Sequence, residues 1–117
     1  MQLKVFPFEG KEERQQKVWE LAPGNRIILE ATFTRHNLVE LVAIQTVEID
    51  GRLHEVIRYD SCHGTLHRHL LFEGADVREE LDWPLTKETR HRILDDLKQH
   101  WMERRTKFLQ RRGMDST

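Results

Sequence analysis

The chain is poor in the residues that would place it in several protein classes. It has one cysteine, Cys62, in 117 residues, which excludes an intramolecular disulfide framework and fits a reducing compartment. Its longest apolar run is far short of a membrane span, and Met1 opens no signal-peptide pattern, so a soluble cytoplasmic protein is the expectation. Net charge is almost absent: 19 Lys and Arg stand against 20 Asp and Glu, for a formal charge of −1. No overall basic excess therefore marks a nucleic-acid binder. Proline is scarce as well, with three in the chain. There is no low-complexity stretch, internal repeat or domain linker, and the length fits one domain, residues 1–117.

What the chain does have is alternation. From Arg26 the pattern is of period two, with Ile27, Leu29, Ala31 and Phe33 apolar and Glu30, Thr32 and Thr34 between them, which predicts a half-buried strand. Residues 35–37 make a tight connection to a second strand over 38–49, where Val39, Leu41, Ala43, Val47 and Ile49 share a face. Asp50-Gly51 is the strongest hairpin signal, since a type I′ turn needs positive φ at both positions. Strands over 52–59 and 65–72 follow, joined by a short link containing Gly64, and residues 73–76 end the sheet. Before the sheet, residues 11–21 are good helix formers with few apolar contacts, predicting at most a short helix or packed loop, and 22–25 read as a turn. Leu3, Val5, Phe6 and Phe8 form an edge strand or an arm.

After Pro84, Thr86 is a good N-cap and Glu88 suits the positive end of a helix. The helix covers about 87–112, with Ile93, Leu94, Leu97, Trp101, Phe108 and Leu109 as its apolar stripe, and Gly113 stops it. At roughly 40 Å it is longer than four strands are wide, so one end is expected to project. The fold class is α+β: a four-stranded, mostly antiparallel meander over 26–72, with one long C-terminal helix packed on one face and residues 1–25 as an arm or short helix.

The chemistry is concentrated between Arg58 and His69, which holds three of the seven histidines, the cysteine and the only tyrosine. Alternation places His67 and His69 on one side of their strand and Arg68 on the other. Two chemistries suit this cluster. His63, His67 and His69 could ligate a divalent transition metal with one position left open. Alternatively His67 and His69 are an acid–base pair for metal-free RNA cleavage, with Arg58 on the phosphate, Tyr59 stacking or donating a hydrogen bond, and Asp60 beside them. Without either chemistry these are polar residues on a solvated sheet, and the chain is a non-catalytic interaction module or a homodimer. A second feature is charge separation: residues 73–88 carry net −4 and residues 98–112 net +5. The basic stretch reads as a footprint for phosphate, as a complement to the helix dipole, or as a partner for the acidic one.

The residues Tyr59, Asp60, Gly64, His67, Arg68 and His69, followed by a long helix, form a Tyr-Asp…Gly…His-Arg-His signature. In this second half the chain resembles small prokaryotic families whose nearest functional label is the TumE-like toxins of toxin–antitoxin systems. The resemblance implies a toxin-like, RNA-directed role and an antitoxin-like protein partner, and assigns no residue a catalytic role. Ser61, Cys62 and His63 depart from the polar link of that pattern.

Overall fold

The structure is a computed structural model that describes residues 12–61 and 64–114. The expectations for residues 3–8, Cys62, His63 and 115–117 lie outside the described residues. Among the described residues the chain forms six strands and one helix: β1 (Glu12–Ala22), β2 (Asn25–Thr34), β3 (Asn37–Ile49), β4 (Arg52–Asp60), β5 (Leu66–His69), β6 (Arg78–Leu81) and α1 (Lys87–Arg111). All six strands lie in one antiparallel sheet in the order β1-β2-β3-β4-β5-β6. The α+β class and the meander order are as expected, but the sheet has six strands rather than four.

The two extra strands lie at the edges. β1 pairs with β2 along nearly its whole length, although its Lys, Glu and Gln residues favour helix. Helix propensity is a weak preference that a paired backbone overrides. A lone helix over these residues would have buried only Val18, Trp19 and Leu21; in the hairpin Trp19 and Leu21 pack against the core and Val18 is exposed. β6 continues the sheet beyond residues 73–76 through the Leu70 amide, which donates to the Val77 carbonyl (2.9 Å). Its charged, four-residue sequence suits a sheet edge, where charge discourages further pairing.

The turns follow backbone chemistry. Asp50 and Gly51 have φ of 53° and 80°, the positive pair a type I′ hairpin demands. Arg35 and His36 also take positive φ, at 53° and 69°, without a glycine to ease it. β4 carries a bulge: Gln45 pairs with Ile57 and Thr46 with Glu55, leaving Val56 between them. The bulge lets both Val56 and Ile57 be buried.

One side of the sheet is the core. Ile27 and Leu29 of β2, Leu41 and Ala43 of β3, and Ile57 and Tyr59 of β4 are almost fully buried there, with Ile93 and Leu97 of α1 in the same cluster. Thr86 caps the helix, its hydroxyl accepting from the Thr89 amide at 3.2 Å. Trp101 is half-buried, and its carbonyl accepts from Nε2 of the buried Gln45 at 2.9 Å. Along α1, Asp96 meets Tyr59, Trp101 meets Gln45 and Phe108 meets His54. These partners lie successively farther along β3 or opposite it, so the helix runs along the strands and not across them. The expected overhang is therefore missing: a strand of 13 residues is about as long as the helix. Phe108 and Leu109 remain buried near its last turn.

Candidate functional site

Strand pairing divides the expected residues between the two sides of the sheet. Arg58 lies opposite His69, Tyr59 opposite Arg68, and Asp60 opposite His67. His67, His69, Arg58 and Asp60 therefore share the side away from the helix, while Tyr59 and Arg68 face it. β6 extends both sets, placing Glu80 beside His67, Arg78 beside His69 and Glu79 beside Arg68.

On the open side the His67 and His69 rings meet edge to face, with centroids 5.0 Å apart. His67 is buried, and its Nδ1 has no hydrogen-bond partner. His69 is half-buried, so the pair meets solvent through His69. Burial, with the neighbouring His67 and Arg78, lowers the pKa of His69 below its usual 6.5. Its imidazole is thus neutral at physiological pH and able to accept a proton. Arg58 is less free than its sequence position implies. Its Nη1 donates to Glu55 and its Nε to Asp60, each at 3.1 Å. Burial opposes its charge, but these two carboxylates outweigh that effect and raise its pKa. Arg78, exposed and bonded to Glu80 at 2.8 and 3.1 Å, is the more accessible cation beside His69.

On the helix side Tyr59 is fully buried, so its ring cannot stack on a base. Its hydroxyl donates to Asp96 Oδ2 at 2.5 Å and accepts from Arg68 Nη1 at 3.0 Å. Arg104 grips both oxygens of Asp96 at 2.8 and 3.0 Å. Burial disfavours the Asp96 charge, but the bonds from Arg104 and Tyr59 more than offset it and lower the pKa. Arg68 also bonds Glu79 at 2.5 Å. This closed network ties β4, β5, β6 and α1 together. Beside it a cleft of about 660 Å³ is lined by Arg68, Trp83 and Asp96 among others, with the Arg92 guanidinium 3.8 Å from the centre of the Trp83 ring.

The metal triad is not assembled among the described residues, where no three His, Cys, Asp or Glu side chains are placed to hold an ion. His63, its third member, lies outside them. Sequence reasoning missed Arg78 and Glu80 because Arg-Glu-Glu-Leu carries no apolar alternation. Asp96 and Arg104 were missed because eight residues of separation shows which helix face they share and not what that face meets.

A family described as a domain of unknown function, DUF7718, matches residues 11–114. The chain belongs to the DUF7718 family. No curated protein and no solved structure matches it. The matched span of the DUF7718 domain takes in all six strands and the helix, and so both sides of the site. No helix is long and apolar enough to cross a membrane among the described residues.

Proposed function

We propose that the chain is a toxin-like, RNA-acting protein that cleaves phosphodiesters without metal, using His67 and His69 as its acid–base pair. The observation that carries this reading is the 5.0 Å approach of the two imidazoles on the side of the sheet that α1 leaves uncovered. Neutral His69 takes the proton from a ribose 2′-hydroxyl, whose oxygen attacks the adjacent phosphorus. The bond from phosphorus to the 5′-oxygen breaks, and His67, as the acid of the pair, supplies a proton to that oxygen. The products are a 2′,3′-cyclic phosphate and a 5′-hydroxyl. Arg78 replaces Arg58 as the phosphate-facing cation, because it is the more exposed of the two and has one carboxylate partner, Glu80, where Arg58 is held by both Glu55 and Asp60. An antitoxin-like partner would act by covering this open side.

The test is cleavage of mixed RNA in EDTA by the wild type, His67→Ala and His69→Ala. The wild type should cut and each variant should lose about 100-fold or more, the usual size of a general acid–base contribution. Because the pKa of His69 is lowered, activity should persist below pH 6.5, the ordinary histidine value, before it falls on the acid side. Equal activity in all three proteins, or none in the wild type, refutes the scheme.

A further inference from the structure

His67 and His69 stand on β5, a strand of four residues. Among the described residues it pairs with β4 at Arg58, Tyr59 and Asp60 alone. Alternation fixes the side each residue takes: Leu66 and Leu70 are buried in the core, so a slip of one residue would turn both out of it. A slip of two residues is different, because the side-chain period is two and every side chain would keep its present side. Its cost falls on the site. His69 lies between Arg58 and Arg78, and His67 between Asp60 and Glu80. A two-residue slip would carry His67 into the place between the arginines and His69 out of it.

Arg68 is the side chain that tells these registers apart. It projects to the helix side between the two histidines and bonds the side chains of the residues directly opposite it on both neighbouring strands. Its Nη1 donates to the Tyr59 hydroxyl at 3.0 Å and its Nε to Glu79 Oε1 at 2.5 Å, with Asp96 Oδ2 3.9 Å from Nη1. After a two-residue slip a leucine, Leu66 or Leu70, would face Tyr59 and Glu79 and could bond neither. Stability does not account for the arginine. Without it Asp96 keeps both bonds from Arg104, Tyr59 keeps its bond to Asp96, and Glu79 is exposed to water. An apolar side chain between Leu66 and Leu70 would serve burial as well. What a guanidinium adds is direction, because its planar fork bonds only where the acceptors stand.

We propose that Arg68 is a positioning residue, a two-sided clamp that locks β5 in register and so sets His67 and His69 against their neighbours on β4 and β6. It lies across the sheet from the reacting groups and acts through the strand. The clamp rests on the RNA reading for its catalytic consequence alone; the register can be measured in a protein that cleaves nothing.

The experiment is NMR on the full chain, comparing the wild type with Arg68→Met, Glu79→Ala and Arg92→Gln. Backbone contacts between residues 58 and 69 and between 60 and 67 report the register, and amide exchange along β5 reports how firmly it is held. In Arg68→Met those contacts should weaken and the β5 amides should exchange about tenfold faster or more, as a locally opened strand does. Glu79→Ala removes one side of the clamp at an exposed position and should move both measures the same way. Arg92→Gln removes the same charge from the same cleft and should move neither. If Arg68→Met does not fold, Glu79→Ala decides by the same measures. Where the wild type cuts RNA, Arg68→Met should lower kcat by about 10- to 100-fold and leave KM unchanged, the signature of misplaced reacting groups. Unchanged contacts and exchange in Arg68→Met, or an equal change in Arg92→Gln, overturns the clamp. A loosened β5 in a protein that cuts no RNA upholds the clamp and refutes the endoribonuclease reading. Cleavage by Arg68→Met equal to that of the wild type, with β5 as firm as before, does the reverse.

Discussion

Tyr59 is the only tyrosine, so its ionisation can be followed alone through the near-ultraviolet absorbance of tyrosinate. Burial, then the hydrogen bond to the Asp96 carboxylate and the repulsion a phenolate would feel there, push its pKa from 10.0 to about 12, against the opposing pull of Arg68. Below the unfolded value, folded and unfolded chains both keep the proton, and the full stabilisation is present. As the pH rises from 10 towards 12 the unfolded chain ionises first, so this contribution is lost. A pKa difference of this size corresponds to about 3 kcal/mol. The perturbation that isolates it is Tyr59→Phe, because other groups titrating in alkali then cancel. Near neutrality the wild type should be the more stable by about 1–2 kcal/mol, the worth of the hydrogen bond to Asp96. By about pH 12 that advantage should be gone or reversed. Urea unfolding of both proteins across this range measures the difference, and absorbance reports the tyrosinate. A difference constant with pH, or a midpoint near 10 in protein that is still folded, would refute the reasoning.

Two further outcomes follow from the packing. Leu97 is fully buried between α1 and the sheet, so Leu97→Ala should lower stability by about 2–5 kcal/mol in urea melts; a loss under about 0.5 kcal/mol would mean the helix is not held there. Gly51 has φ of 80° and nothing within 4 Å of an added Cβ, so Gly51→Ala should cost about 1–2 kcal/mol through backbone strain alone. Equal stability by thermal melting would remove the type I′ assignment.

The central part of the fold was legible where its physics is local. Strands β2 to β4 alternate apolar and polar residues, and Asp50-Gly51 is chemically committed to its turn. Thr86 and Gly113 bracket the helix as caps do. β1 and β6 were not legible, because Glu12–Ala22 and Arg78–Leu81 are strands only by virtue of the neighbours that accept their backbone hydrogen bonds. The site divided in the same way. Alternation along β5 was enough to put His67 and His69 on one side and Arg68 on the other, as they are. The side on which Tyr59 falls depends on its pairing with Arg68, and Arg58 meets Glu55 and Asp60 only in the folded sheet.

Period and turn chemistry, both written within a few neighbouring residues, determined by themselves that this protein is a meander followed by a capped helix, and that two imidazoles point the same way. Tertiary structure alone decided how many strands the sheet holds, which side the helix covers, and which carboxylate each arginine takes. Backbone pairing and ion pairing join residues far apart in the chain: Arg68 finds Tyr59 and Glu79 on two different strands, and Asp96 draws Tyr59 down from the sheet. No local pattern encodes such partners.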